Sequence, residues 1–358
     1  MSTEKKKHID INCDLGEWDA RDPRPEQQLR DREIMPLISS VNIACGGHRG
    51  DAHSIRTTME HAASLGLAIG LHPSFPDREH FGRKELPWSD EIAESIYNQL
   101  DFGRSLAREV GVQLNHVKPH GALYNMASRY ENWAEKLWVL LRSWDSDMLV
   151  YGLSESEMSK GLGMDIMSVN RGQASHLRME DSESDGESGS ESDGEASVHA
   201  GVDAGAGSEL NAGSEKGTEA EGQVGSDEGL GADGGLGSEG QAASVEGLGN
   251  EEVEAFWAFD IKTGNRFCAE AFADRAYTPN LTLVPRSRDG AVHTNPSFVM
   301  MQVHEMVVRG QVLCVDGVSR ALKVESICLH SDTPGAVEMA QLISRGLKEL
   351  NVEVRPCS

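Results

Sequence analysis

Residues 8–14 read His-Ile-Asp-Ile-Asn-Cys-Asp, and this short stretch carries the pattern that decides the fold. Its apolar residues suit a buried strand, while Asp10, Asn12 and Asp14 stand at alternate positions and so project to one side of that strand. Three polar side chains facing the interior of a protein are costly unless they are paired or functional. The stretch therefore predicts a buried strand whose polar side takes part in a site.

Similar apolar runs recur along the chain and alternate with amphipathic helical patterns. Strands are predicted at 8–14, 41–45, 67–71, 114–118, 148–151, 267–271 and 325–329. Helices are predicted near 52–65, 89–111, 130–143, 154–165 with 254–262, 295–309 and 334–350. This alternation implies parallel strands joined by right-handed crossovers. Seven units favour a closed β/α barrel over an open doubly wound sheet, and no Gly-x-Gly-x-x-Gly dinucleotide motif follows the first strand.

The net charge of −25 belongs mostly to one window of the sequence. Residues 180–254 contain 21 acidic side chains, one basic side chain and 18 of the 38 glycines, so this window carries a charge of −20. Such a segment buries too little apolar area to offset its chain entropy, and it is predicted to be a disordered acidic insert. Residues 1–179 and 255–358 then form a single barrel domain.

Composition excludes several classes of protein. No run of about 18 apolar residues occurs, and the N-terminus has no apolar signal-peptide region, so a cytoplasmic protein without a membrane span is expected. Four of the six tryptophans fall on helical patterns and indicate packing, which gives no sign of a nucleic-acid partner; they are Trp88, Trp133, Trp138 and Trp144. The six cysteines have no paired spacing, and this predicts reduced, mostly buried thiols.

Polar residues cluster at the carboxyl ends of six predicted strands, which is where barrels of this kind place their chemistry. The predicted ring around this mouth consists of Asp14, His48, His72, Lys118, His120, Glu270, Asp274, Arg275, His330 and Asp332. Asn12 and Asn42 stand on the first two strands beside it. Histidines, carboxylates and cations in one ring suit general acid–base catalysis.

Two other interpretations of the mouth stay open. Asp14, His48 and His72 could hold a divalent metal, although the sequence has no local metal signature such as His-x-x-x-His on a helix. Arg275 and Arg286 are candidate anchors for a carboxylate or a phosphate, because a guanidinium group binds such anions through two parallel hydrogen bonds.

Several longer motifs resemble those of the LamB/YcsF family. They are IDINCDLGE at 9–17, NIACGGH at 42–48, HVKPHGALYN at 116–125, EAFADRAY at 270–277 and CLHSDTPGA at 328–336. The resemblance implies a seven-stranded β/α barrel similar to the glycoside hydrolase/deacetylase superfamily. It also implies ATP-dependent opening of 5-oxoproline to L-glutamate, carried out as one subunit of a multi-subunit 5-oxoprolinase together with partner subunits.

The resemblance and the predicted ring together give expected roles. Asp14 is the expected general base, with His48, His72 and His120 orienting groups or moving protons. Lys118 and Arg275 would stabilise developing negative charge. The further expected catalytic and substrate-binding residues are Asp274, Asn12, Asn42, Glu270, Arg286, His330 and Asp332.

In two respects the sequence departs from what the resemblance implies. The sequence has no Gly-x-x-x-x-Gly-Lys-[Ser/Thr] phosphate loop, so nucleotide chemistry belongs to the partner subunits or to a site that the sequence does not reveal. Gly47 stands where the family usually has an aromatic residue, Arg49 stands where it has a small one, and the loop after Glu17 also differs.

Two alternative functions stay open. The first is a metal-dependent amide or carbohydrate hydrolase or deacetylase, and the second is a non-catalytic regulatory subunit whose acidic tract recruits a basic partner.

Overall fold

The computed structural model describes residues 7–22, 24–160 and 266–358, and its centre is a closed parallel barrel. The strands are β1 (His8–Leu15), β2 (Ser40–Ala44), β3 (Ala68–His72), β4 (Leu114–Val117), β5 (Leu149–Leu153), β6 (Phe267–Phe272), β7 (Gln311–Leu313), β8 (Ser319–Ala321), β9 (Ser326–Cys328) and β10 (Glu353–Val354). Strands β1 to β6 pair in order, and β9 pairs with both β6 and β1. The predicted seven-stranded β/α barrel is therefore confirmed.

Helices follow most of the barrel strands along the chain. They are α1 (Pro25–Ile34), α2 (Ala52–Ser64), α3 (Asp90–Val110), α4 (Gly121–Arg129), α5 (Glu131–Trp144), α6 (Glu157–Lys160), α7 (Pro296–His304) and α8 (Ala336–Glu349). Ser89 caps α3 by accepting a hydrogen bond from the backbone N–H of Ile92, and Gly111 ends it with a positive φ of 79°. A π-helical turn at Glu305–Arg309 extends α7.

Some predicted elements differ from the structure, and some lie outside it. The sequence predicted neither α1 nor α4, and it also missed the antiparallel hairpin of β7 and β8 and the short β10, which pairs with the start of β1. The acidic insert at 180–254 lies outside the described residues, as do the predicted helical segments 161–165 and 254–262.

Strand β1 separates an apolar layer from a polar barrel interior. Ile9, Ile11 and Cys13 belong to the main apolar cluster that the helices cover. Asp10 accepts hydrogen bonds from the hydroxyl groups of serines on β2, β9 and the residue before β2, and burial raises the pKa of its carboxyl group. The alternation seen in the sequence is thus the division between the packed layer and a hydrogen-bonded interior.

The prediction of six reduced thiols was wrong for two cysteines. Cys268, at the start of β6, forms a disulfide bond with Cys357 near the C-terminus, 89 residues later in the chain. The pairing of β10 with β1 brings the C-terminal segment back to the barrel, and no local spacing pattern announces such a contact. Cys13, Cys45, Cys314 and Cys328 are free and buried, as expected.

Within the described residues, no helix combines the length and the apolar character that crossing a membrane requires.

A substitution at Gly70 on β3 tests how tightly the barrel interior is packed. A Cβ atom added at Gly70 would lie 2.2 Å from Nε2 of His116, whose ring stacks on Tyr151 with centroids 4.0 Å apart. Because that ring has no free space to move into, we expect Gly70→Ala to lower the free energy of unfolding by about 1–3 kcal/mol in denaturant titrations.

Gly346→Ala on α8 is the matched control. Its Cβ would also be close to a neighbour, at 2.4 Å from Cε of Met300, but that side chain is flexible and alanine favours a helix. The stability of this variant should stay near that of the wild type. Equal losses of unfolding free energy in the two variants would contradict the proposed rigidity of the barrel interior.

Candidate active site

The carboxyl ends of the barrel strands enclose a cavity of about 430 Å³, which is the size of a small-molecule site. Its ionisable lining residues are Asp14, Glu17, His72, Arg83, Glu85, Lys118, His120, Arg129, Arg275, Arg286, His330 and Asp332. The cavity also receives the rings of Tyr124 and Phe272. Charged groups of both signs therefore face one enclosed volume.

A buried lysine stands on the floor of this cavity. Nζ of Lys118 donates to Oδ1 of Asp14 at 2.9 Å and lies 3.0 Å from Oε1 of Glu270. It also contacts Oδ1 of Asn12 at 3.2 Å and Sγ of Cys328 at 3.0 Å. Burial lowers the pKa of Lys118, but the neighbouring charges, led by Asp14, outweigh burial and place the pKa well above its ordinary value. The lysine is a permanent cation that holds two carboxylates together.

Two asparagines connect this ion pair to the neighbouring strands. Nδ2 of Asn42 donates to Oδ1 of Asn12 at 2.7 Å and to Oδ1 of Asp14 at 2.8 Å. Nδ2 of Asn12 donates to Oε1 of Glu270 at 2.8 Å, and the hydroxyl of Tyr124 donates to Oε2 of the same carboxylate at 2.8 Å. These contacts fix the two carboxylates from several sides, so the floor of the cavity is preorganised.

Three histidines form one side of the mouth. Nδ1 of His120 lies 2.9 Å from Nε2 of His72, and Nε2 of His72 lies 3.3 Å from Oδ2 of Asp14. The ring of His48 stacks on the ring of His120 with centroids 3.7 Å apart. Burial, together with the charge of a neighbouring histidine, lowers the pKa of both stacked rings well below the ordinary value. His48 and His120 are therefore neutral at pH 7.

Glu17 lies beside the stacked histidines. Its Oε1 atom is 3.1 Å from Nε2 of His48 and 3.7 Å from Nδ1 of His120. Burial raises the pKa of Glu17 to about 7, and the negative charges of Asp332 and Asp14 act in the same direction. The carboxyl group thus exchanges a proton near neutral pH, which is the property required of a general acid or base.

Asp14 behaves differently although it lines the same cavity. Burial raises the pKa of its carboxyl group, but the charges of His72 and Lys118 outweigh burial and hold the pKa well below its usual range. Asp14 therefore stays ionised at neutral pH while Glu17 can take up or release a proton. Two carboxylates with separate protonation states are typical of an acid–base site.

Three guanidinium groups line the same cavity, and two of them lie near the carboxylate of Asp332. Nη2 of Arg83 donates to Oδ2 of Asp332 at 2.9 Å, and Nη1 of Arg286 lies 3.9 Å from Oδ1 of Asp332. Arg275 is buried beside them, and it donates to two backbone carbonyl groups. Burial, with the charge of Arg286, lowers the pKa of Arg275 to about 10. The excess of positive charge suits an anionic ligand.

A buried carboxylate positions the last histidine of the mouth. Nδ1 of His330 lies 2.9 Å from Oδ1 of Asp274, and the Thr333 hydroxyl donates to Oδ2 at 2.6 Å. Burial raises the pKa of Asp274, but the charge of His330 and these hydrogen bonds outweigh burial and lower the pKa to about 2. Asp274 does not line the cavity, so it acts by orienting His330.

The model of one protein family matches this chain over residues 9–171 and 247–358. The chain belongs to the LamB/YcsF family. The two matched segments together contain the strands that form the barrel, and residues 172–246 lie between them.

Curated relatives extend the match over almost the full length. A protein of Acinetobacter baylyi, named as the A subunit of 5-oxoprolinase, is 29% identical over 352 residues, which cover 97% of each chain. A protein of Histophilus somni with the same name is 30% identical over 350 residues, covering 97% of this chain and 98% of its own. A crystal structure described as a lactam utilization protein from Thermus thermophilus superposes with a TM-score of 0.62 at 25% identity, covering 97% and 99% of the two chains.

The structure of this LamB/YcsF chain divides the sequence-predicted site residues into two groups. Asp14, His72, Lys118, His120, Arg275, Arg286, His330 and Asp332 line the cavity. Asn12, Asn42, His48, Glu270 and Asp274 stand behind it, and each contacts a lining residue. The second group holds the first in place.

The lining residues that sequence reasoning did not select include Glu17, Arg83 and Tyr124. Glu17 lies in the loop after β1, Arg83 lies in the loop after β3, and Tyr124 lies in α4. The alternation of a strand does not continue into a loop or a helix, so the period-two pattern could not assign them to the ring. Glu17 and Tyr124 do fall within the motifs at 9–17 and 116–125, and Arg83 ends the string FGR at 81–83, which also resembles the family.

Gly47, one of the positions that differ from the family pattern, lies outside the cavity lining. A Cβ atom added there would lie 2.3 Å from Oε1 of Gln99 and 2.5 Å from Oγ of Ser74. Gln99 accepts from the backbone N–H of Ser74 at 2.9 Å and donates to its carbonyl oxygen at 2.8 Å. The glutamine therefore fills the space that a larger residue at 47 would need.

The described residues offer three groups of side chains whose ligand atoms lie within 4.8 Å of one another. They are Asp14, His72 and His120; Asp14, Cys328 and His330; and Glu17, His48 and His120. The set suggested by the sequence, Asp14 with His48 and His72, is not among these groups. In the structure, Nε2 of His48 faces Glu17 instead of Asp14.

Lys118→Met tests whether the buried lysine holds the floor together. The methionine fills most of the volume but leaves Asp14 and Glu270 without their shared cation, so we expect the free energy of unfolding at pH 7 to fall by about 3–5 kcal/mol. Denaturant titration provides the measurement.

Lys323→Met is the matched control, because Lys323 forms an ion pair of 2.8 Å with Glu325 while its side chain is 67% exposed. Exposed pairs of this kind contribute little to stability, so this variant should unfold as the wild type does. A Lys118 variant as stable as the Lys323 variant would contradict the role given to the buried lysine.

Proposed function

We propose that this chain opens the ring of 5-oxoproline to give L-glutamate, as one subunit of a multi-subunit, ATP-hydrolysing 5-oxoprolinase. The names of the curated relatives support the substrate and the organisation into several subunits. The observation that carries the proposal is the cavity itself, because acid–base groups and guanidinium groups line it together. A cyclic amide that carries a carboxylate requires both.

The reaction breaks one ring C–N bond and adds one water molecule. A base must remove a proton from the attacking water, and an acid must supply a proton to the leaving nitrogen. An unstrained five-membered lactam resists this attack. Phosphorylation of the carbonyl oxygen by ATP would create a better leaving group, with ADP and phosphate as the second pair of products.

The residues of the cavity suit these steps. Glu17 is the group whose pKa of about 7 allows it to take the proton from water and return it to nitrogen. Asp14 remains ionised, so in this proposal it orients the water and shares the base role first assigned to it from the sequence. His72 and His120 move protons between these groups, and His48 positions Glu17.

Positive groups would bind the negative charge of the substrate and of the transition state. Arg286 and Arg83 reach the cavity around Asp332, and in the proposal they bind the carboxylate of 5-oxoproline. Lys118 and Arg275 stabilise the charge that develops on the carbonyl oxygen, because preorganised cations in a water-poor site act strongly on such charge. His330, which Asp274 orients, lines the same cavity.

We assign the nucleotide chemistry to partner subunits, since the sequence has no phosphate loop of the Walker type. The proposed setting is the cytoplasm. Residues 180–254 are proposed to be an insert that takes no part in turnover.

The direct test combines the purified chain with its co-purifying partner subunits, 5-oxoproline and ATP, and measures glutamate and ADP. We expect equal amounts of the two products. Glu17→Gln should lower kcat by about 10²–10⁴-fold, because it removes the acid–base group while keeping its shape.

Deletion of residues 180–254 is the control, and it should leave turnover unchanged. Absence of glutamate from a complex that still hydrolyses ATP would reject the proposed substrate. Loss of turnover in the deletion variant alone would favour the regulatory interpretation of the acidic tract.

A further inference from the structure

Backbone carbonyl groups fix the hydrogen positions on two of the cavity histidines. Nδ1 of His72 lies 2.7 Å from the carbonyl oxygen of Lys118, and Nε2 of His120 lies 3.0 Å from the carbonyl oxygen of Phe81. A carbonyl oxygen only accepts hydrogen bonds, so each of these nitrogens carries a hydrogen. In the neutral rings, Nε2 of His72 and Nδ1 of His120 are therefore the nitrogens with free lone pairs.

These two nitrogens and a carboxylate oxygen of Asp14 lie within 4.8 Å of one another. The two nitrogens are 2.9 Å apart, and Oδ2 of Asp14 lies 3.3 Å from Nε2 of His72. With neutral rings, no hydrogen atom lies between the three acceptors, and they repel one another unless a cation joins them. That cation is either an added proton or a metal ion.

The neighbouring group of Glu17, His48 and His120 lacks this feature. Nε2 of His48 lies 3.1 Å from Oε1 of Glu17, which is an ordinary donor–acceptor pair when the hydrogen is on Nε2. A metal there would have to displace that hydrogen. The third group, with Cys328, is also engaged, because Lys118 donates to its sulfur at 3.0 Å.

The carboxylates below these nitrogens carry more negative charge than Lys118 compensates. Asp14 and Glu270 are each at most 6% exposed, and among the described residues Lys118 is the buried cation in contact with both. A further cation beside Asp14 would complete the pairing, and buried charges are stable when they are paired or bound to metal.

We propose that Asp14, His72 and His120 bind one divalent transition-metal ion through Oδ2, Nε2 and Nδ1. Two imidazoles and one carboxylate are ligands that Zn²⁺ and its neighbours accept, and backbone carbonyls that hold the second ring nitrogen are the usual outer support of such ligands. At Zn–N distances of about 2.0–2.1 Å, tetrahedral ligand nitrogens lie about 3.3 Å apart, so the two ring nitrogens, which are 2.9 Å apart, would separate by about 0.4 Å.

The ion would leave one coordination position towards the cavity, which all three ligands line. A metal-bound water is acidic enough to give hydroxide near neutral pH. Asp14, His72 and His120 then act as ligands in place of the acid–base roles given to them above, and Glu17 is the carboxylate that remains to accept a proton. Metal content is measured without substrate, so failure of this proposal and failure of the lactam assignment give different results.

The test strips the full-length protein with a chelator, adds ZnSO₄, removes free metal and measures the zinc content. We expect about one zinc per chain in the wild type, and a loss of at least about tenfold in His72→Ala and His120→Ala. His48→Ala is the matched control, since it removes a buried histidine of the same mouth and should keep the metal. Far-UV circular dichroism checks folding, and His120→Asn replaces the alanine variant where that variant is unfolded.

Loading with CoCl₂ adds a spectroscopic signature. The proposed ligands give visible d–d bands without a near-ultraviolet thiolate band, whereas the group containing Cys328 would give one. Wild-type protein that retains no stoichiometric zinc would overturn the proposal. So would equal loss of metal in His48→Ala and His120→Ala, or a thiolate band that Cys328→Ser removes.

Discussion

The contact between the Lys118 ammonium group and the carboxylates of Asp14 and Glu270 is the constraint on which the rest of the site depends. A barrel interior that contains several carboxyl groups is unstable unless their charge is compensated. Here one lysine directly after β4 reaches carboxylates on β1 and β6, so strands from different parts of the sequence are joined by a single cation. The amides of Asn12 and Asn42 then complete the hydrogen bonding that the ion pair leaves open.

This rigid floor explains why the reactive groups are found above it. Asp14 has its position fixed and its charge maintained, so variation in protonation is left to Glu17, which comes from the loop after β1. The histidines stand between these two carboxylates and are oriented by backbone carbonyl groups. The guanidinium groups come from loops after β3 and β6, whereas the carboxylates of Asp14 and Glu270 that hold the barrel together lie on strands.

The sequence predicted the barrel well because buried parallel strands produce a strong local pattern. The alternation of polar and apolar residues in 8–14 placed β1, and the same reasoning identified all seven barrel strands. Helix α1 was missed because its sequence, PEQQLRDREI, lacks an apolar stripe. Helix α4 was missed because it begins at Gly121, only a few residues after the end of β4, and has no side-chain cap. The Cys268–Cys357 bond depends on tertiary proximity across 89 residues, which no local rule detects. In the site, the predicted ring included loop residues such as His48 and Asp332 but not Glu17 and Arg83, whose approach to the cavity depends on the path of their loops.

We propose that ligand chemistry takes place in the cavity above the buried lysine. The decisive experiment is a crystal structure of the protein soaked with 5-oxoproline. We expect the lactam inside the 430 Å³ cavity, with its carboxylate against Arg286 and its ring amide facing Asp14 and Glu17. A lactam bound at another surface, or a cavity without lactam at saturating concentration, would contradict it.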